Sequence, residues 1–214
     1  MQLEGRAKSI LGAAQRKWLL RGLKDAQTRG VVWKVISTND SLGVPSGGYT
    51  LFAPEGEMQA LYSVRDGWAA GMRLNSEPEG KQDNPFGFES ELRSVLRFIK
   101  AEGITNVVWL ATDVHHARLI RYEQTGDLAG LVFHEFVTGP VSALSLPPVP
   151  LSTTFGPVEL YARGGVPGRS SFFNFGVLKI AADGTLTVEV HDLEGRIPAD
   201  ERGRPGTVTL TPRR

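Results

Sequence analysis

The residues best equipped for chemistry lie in the run VVWLATDVHHA, where Asp113, Val114, His115 and His116 follow a stretch of apolar, β-branched residues. A buried parallel strand ending this way delivers a carboxylate and imidazoles at its carboxyl end, where open α/β sheets place their ligand crevices. If the chain continues extended, Asp113 and His115 share one face and His116 points to the other. A carboxylate oxygen favours a hard cation, whereas imidazole suits iron, zinc or manganese. Two adjacent ions in such a place could clamp a phosphoryl group and lower the pKa of a water. The same residues also fit an ordinary turn, with Asp113 as a cap and His115 bonded to a backbone carbonyl. His116 reads as a surface residue or one that backs the site, while His134, in an alternating strand, and His191, in a late hairpin, read as solvated or core-edge histidines.

The elements that must position these residues can be traced by period. Leu11, Ala14, Trp18, Leu19, Leu23 and Ala26 recur at spacings of three and four, which predicts an amphipathic helix over residues 10–28, stopped by Gly30. VVWKVIST, residues 31–38, is too short for a helix and apolar enough for a buried strand. Phe88, Leu92, Val95, Leu96 and Ile99 predict a second helix ended by Gly103, and ITNVVWLAT, residues 104–112, predicts a second buried strand. Strand, helix-bearing connection and strand make a right-handed crossover. Between them, residues 39–87 are rich in Gly and Pro and have no sustained period, so they read as a long excursion with at most short strands such as 49–52, either mobile and lining the crevice or a peripheral hairpin packed away from it. From Arg118 onward ARLIRYE, LVFHEFVTG, SFFNFGVLKI and TLTVEVHDL predict antiparallel β-structure, with Ala182, Asp183 and Gly184 as a hairpin turn. No internal repeat is evident.

Composition narrows the chemistry. The chain has 214 residues, with 24 Lys plus Arg against 23 Asp plus Glu, so its charge carries no nucleic-acid footprint. The absence of Cys excludes disulfides, thiolate metal sites and a cysteine nucleophile. No apolar run approaches the roughly 20 residues of a membrane span, and MQLEGRAKS lacks the apolar middle of a signal peptide. GxxxxGK[ST], GxGxxG, HExxH and GxSxG are all missing, which removes the commonest signs of P-loop, dinucleotide, zincin and α/β-hydrolase chemistry.

The succession LGAAQRKWLLRGL, VVWKVISTND, DNPFGFESELRSVLRFI, ITNVVWLATDVHHA and EFVTGPVSA resembles the second half of PhoD-like phosphatases, the alkaline phosphatase D branch of the metallophosphoesterases. The LGxxQxxWL helix and the DVH strand end carry most of that likeness, which covers about residues 9–143. The resemblance implies an α/β (α+β) fold: the C-terminal half of a four-layer αββα sandwich, with residues 1–214 as one domain and a β-rich antiparallel tail. It implies a phosphodiesterase or alkaline phosphatase using a binuclear centre, with iron and calcium as cofactors and a metal-bound hydroxide as nucleophile. Asp113 would then bind one ion and His115 the other. Thr112 stands where many members have Gly, and the family's D-x-W-x-G-Y turn corresponds to Asp83–Phe88 without its tryptophan.

The family's earlier ligands, a D-x-Y motif and a D-D-H-E-like stretch, precede the LGxxQxxWL helix and have no counterpart here. The expectation is therefore that the missing N-terminal half, or another subunit, covers an exposed apolar sheet face. The partner is a phosphate ester substrate, and the family implies a secreted or periplasmic location. Asn39, at the end of the first strand, is a candidate substrate contact, and His116 a candidate for the same or for backing the site. The competing reading is a noncatalytic binding module derived from a truncated phosphatase.

Overall fold

The structure is a computed structural model that describes residues 9–38, 41–42, 47–52, 59–64, 88–151, 153–166 and 168–213. Helix α1 spans Gly12–Thr28 and helix α2 spans Glu89–Ala101. Both stop where the sequence places a glycine: Gly30 at φ +72° and Gly103 at φ +59° take the left-handed conformation that lets Val31 N–H reach the Ala26 carbonyl and Ile104 N–H that of Ile99, each at 2.9 Å. The start of α1 is tied down from a distance. The buried Glu91 carboxylate accepts hydrogen bonds from Ser9 Oγ at 2.5 Å, Ile10 N–H at 2.8 Å and Leu11 N–H at 3.2 Å, satisfying donors that a helix start leaves open.

Strands β1 (Lys34–Thr38), β4 (Val107–Ala111), β5 (Ala117–Glu123), β6 (Val132–Val137) and β7 (Pro157–Arg163) form a five-stranded sheet in the order β1-β4-β6-β5-β7. The expected parallel crossover is present, with Val35 opposite Val108 and Thr38 opposite Ala111. LVFHEFVTG departs from its expected antiparallel setting on one side: β6 inserts between β4 and β5, parallel to the first and antiparallel to the second. Strands β8 (Asn174–Ile180), β9 (Leu186–Asp192) and β10 (Thr207–Leu210) make a separate antiparallel sheet. Its β8–β9 turn is the one the sequence predicts: Gly184 sits at φ +87° and Asp183 accepts the Thr185 N–H at 2.9 Å. Strands β2 (Gly47–Phe52) and β3 (Gln59–Val64) pair as an antiparallel hairpin. Apart from residues 41–42, the rest of the excursion, including Asn39 and residues 83–87 of the turn, lies outside the described residues.

Alternation along β4 divides the core. Val107, Trp109 and Ala111 pack with Leu92, Val95, Leu96 and Ile99 of α2, while Val108 faces the other way with Leu119, Phe136, Tyr161 and Leu186, Val188 and Val190 of β9. Fully burying such side chains contributes about 1.5 to 3 kcal/mol each. The layers are thus helices, a mixed sheet and an antiparallel sheet. The second face of the large sheet, expected to be bare, is packed over β4 to β6 by the chain's own tail. Exposed apolar surface gathers instead beside β1, which is an edge strand and not a buried one: Val35 is 46% exposed and Trp18, expected in the buried stripe of α1, is 66% exposed.

Candidate active site

Strands β4 and β6 end side by side, with Thr138 N–H bonded to the Ala111 carbonyl at 3.3 Å. Beyond those ends a cleft of about 520 Å³ opens between the bend 112–116, the loop 138–143 and the start of β8. Asp113 and His115 line it, so the strand end delivers these side chains to a crevice as its sequence predicts.

The local backbone is not extended. Asp113 at φ +60° and His115 at φ +64° both adopt the left-handed conformation that L residues seldom take, each at a cost on the order of 1 kcal/mol. Two left-handed residues, and not strand alternation, bring the side chains together, with His115 Nε2 4.0 Å from Asp113 Oδ1. The other ring nitrogen of His115, Nδ1, makes a short hydrogen bond to the Leu144 carbonyl. A carbonyl only accepts, so Nδ1 carries the proton and Nε2 presents a lone pair to the cleft beside the carboxylate. The bond to a backbone carbonyl, which could have marked a merely structural histidine, is thus what orients this one as a donor. His115 is further fixed through its own carbonyl, which accepts from Leu146 N–H at 2.8 Å.

His116 is fully buried, so the expectation of a surface residue fails; its side chain turns away from the cleft into the core, where a Cβ on Gly164 would come within 2.9 Å of its own. Burial, first, and the Arg118 guanidinium, second, push its pKa down to about 3 against the opposing effect of the Val114 backbone. It is a neutral packing residue behind the bend. His191 sits away from the cleft, bonded to the Glu189 carboxylate at 2.7 Å and the Gly195 carbonyl at 2.9 Å.

Two features that positioned no reading of the sequence shape the site. Buried Asn174, at the start of β8, clamps the facing loop: its Oδ1 accepts Gly139 N–H at 2.8 Å and its Nδ2 donates to the Gly139 carbonyl at 2.9 Å. Gly139, at φ +104°, occupies a backbone region that an L side chain avoids. Glu135 on β6 is buried, accepting from Leu42 N–H and from Tyr122 Oη at 2.6 Å each, and so anchors the chain where it leaves β1. Neither has a local signal, because an Asn or Glu inside a strand run is indistinguishable by period from a solvent-facing one.

Asp113 and His115 form an oxygen-plus-nitrogen donor pair that fits a cation of intermediate hardness. Among the described residues no group of three or more His, Asp or Glu side chains is gathered to hold a metal ion, so any such site draws further donors from elsewhere.

A family model described as PhoD-like phosphatase matches residues 1–164. Among solved structures, one entitled "Structure of PhoD" matches with a TM-score of 0.53 at 15% identity, covering 94% of this chain and 32% of that one. The chain therefore spans about a third of that solved protein's length. No curated protein matches.

Proposed function

The chain belongs to the PhoD-like phosphatase family, and from that premise we propose that it supplies the Asp113–His115 part of a metal-dependent phosphoric ester hydrolase acting on phosphodiesters or phosphomonoesters. The observation that carries this reading is the orientation of His115, whose Nδ1–H is committed to the Leu144 carbonyl so that Nε2 faces Asp113 across an open cleft. Asp113 would hold one ion and His115 the other, iron and calcium being the pair the family implies. Such a pair, when bound, supplies positive charge to the phosphoryl oxygens and lowers the pKa of a water. The chain's own contribution is to orient both donors on a fixed bend and to offer the Thr112 and Thr138 hydroxyls, which line the same cleft, to the ester oxygens.

Residues 1–214 are read here as one domain that completes a four-layer sandwich together with polypeptide carrying the remaining ligands. The edge of β1 that is unpaired among the described residues, with Val31, Val32, Val35 and Trp18 exposed beside it, is the surface we assign to that polypeptide. No helix among the described residues is long and apolar enough to cross a membrane, and a secreted or periplasmic location accords with the family. That no more than two donors gather among the described residues favours one second reading, a binding module without catalysis.

The test is metal content and hydrolysis of bis-p-nitrophenyl phosphate by the chain together with a separately made upstream half of a PhoD-like protein carrying the D-x-Y ligands. Hydrolysis dependent on both halves, and abolished by His115→Ala along with bound metal, is expected. Equal metal content and turnover in His115→Ala would overturn the assignment, and a well-formed complex that binds metal yet hydrolyses nothing would favour the binding module.

A further inference from the structure

A second cavity, of about 360 Å³, opens at the opposite end of the five-stranded sheet from Asp113 and His115. It lies under the starts of β4 and β6, between the last turns of α2 and the tail that follows β10. One side is apolar, built from the partly buried Trp33 and Leu210, which pack on the same sheet face as Phe136. The other carries Arg121, His134 and Arg213.

Arg121 and His134 stand directly opposite each other on β5 and β6, so their side chains share one face. Two nitrogenous side chains in that relation repel when both are charged. Burial, then the charges of Arg121 and Arg213, hold the His134 pKa down to about 4, and both arginines line the same cavity as the ring. Arg121 has a carboxylate partner in Glu123 at 2.5 Å. Arg213 makes no ion pair among the described residues, and the ring nitrogens of His134 make no hydrogen bond there; its recorded neighbour is the Phe136 ring, at 6.2 Å between centroids.

The position of Arg213 is built. Asn106 accepts its backbone N–H at 2.7 Å and donates to its carbonyl at 2.9 Å, pinning the tail across the mouth of the cavity. Nearby, Trp33 Nε1 donates to the Gly184 carbonyl at 2.7 Å and joins the β8–β9 turn to the segment preceding β1. A cavity of this size, apolar on one wall and cationic on the other, has the make-up of a small-molecule site.

We propose that this cavity binds a small organic anion, its phosphate or carboxylate head set between Arg213 and His134 and an apolar body about the size of a phenyl ring against Trp33 and Leu210. The head would meet one guanidinium without a competing carboxylate, a second that shares Glu123, and an imidazole able to donate one N–H or, once protonated, two. Such a site is independent of the cleft at Asp113 and needs none of its ligands.

Phenylphosphonate, which has no ester to hydrolyse, is the probe, titrated into the 214-residue chain while the histidine ring signals are followed by NMR. We expect the His134 signal to move saturably with a Kd of about millimolar or tighter. Arg213→Gln, an exposed substitution, should weaken binding roughly threefold to tenfold, and Arg121→Gln should act in the same direction. His115→Ala should leave the affinity unchanged. Shifts confined to His115, an affinity indifferent to both arginine variants, or equal binding of uncharged benzyl alcohol would each overturn the proposal.

Discussion

The bend at Asp113 and the loop at Asp200 use the same residue type in opposite ways. The tail contains two copies of D-x-x-G-R, Asp192–Arg196 and Asp200–Arg204, eight residues apart and folded alike. Asp200 Oδ1 accepts from Arg202 N–H and Arg204 N–H at 2.9 Å each, and Oδ2 accepts from Arg204 Nε at 2.7 Å and Ala162 N–H at 3.3 Å. The left-handed position falls on Gly203, at φ +75°, as it does on Gly195, at φ +80°, in the first copy. From Arg204 the network continues to Glu159 and then to buried Arg118. At the bend, by contrast, the left-handed positions fall on Asp113 and His115 themselves, and the Asp113 side chain is 77% exposed with His115 as its recorded neighbour at 4.0 Å. A turn that serves stability puts glycine where φ is positive and saturates its carboxylate. One that strains two polar residues and leaves their atoms open to a cleft holds local strain of the kind that gathers at functional sites.

The sharpest way to break this contrast is Asp200→Ala, which frees the Ala162, Arg202 and Arg204 backbone N–H groups and leaves Arg204 with Glu159 as its carboxylate partner. A loss of about 2 to 4 kcal/mol in urea unfolding is expected, with Asp192→Ala costing distinctly less because its loop is more exposed. Burial alone would raise the Asp200 pKa, but hydrogen bonds from Arg204, Ala162 and Arg202 outweigh it and hold the carboxylate below its usual range. Its stabilisation is therefore full above the unfolded pKa of about 4 and lost as pH falls below it. Equal losses in the two alanine variants would show that the copies do not differ as their burial indicates.

The same contrast recurs between adjacent histidines, one open to the cleft and one sealed in the core. With its folded pKa near 3, His116 binds its proton in the unfolded chain first. Stability should accordingly fall as pH drops below about 6.5, the unfolded value, and go on falling toward the folded one. Urea midpoints measured between pH 7.5 and 5, a window set by that roughly 6.5 value, should decline less steeply in His116→Gln than in the parent. An unchanged slope would remove His116 from the account. The smallest effect is expected at the bend: Asp113→Gly relieves a left-handed residue and should leave the fold between about 0 and 1 kcal/mol more stable, while weakening metal binding. A destabilised Asp113→Gly would mean that the carboxylate supports the fold.

Local chemistry made both helices readable from the chain alone, since the apolar stripe of α2 and the stops at Gly30 and Gly103 act within a few residues. The same holds for the Asp183–Gly184 turn, for the strand ending at Ala111, and for the placement of Asp113 and His115 at a strand's carboxyl end. The paired D-x-x-G-R loops are likewise local, each closed within five residues by its Asp and Gly. What the tertiary structure alone decided are the long-range pairings: β6 entering between β4 and β5, β1 left at the edge despite its apolar run, the tail sheet covering the second face, and Asn174 reaching Gly139. Period reports which residues share a face, not what packs on it, so the exposure of Trp18 and Val35 could not follow from their spacing. The bend itself belongs to this second group, because the positive φ of Asp113 and His115 is imposed by where β4 ends, by the Leu144 carbonyl and by Leu146, contacts about thirty residues away that no local propensity encodes.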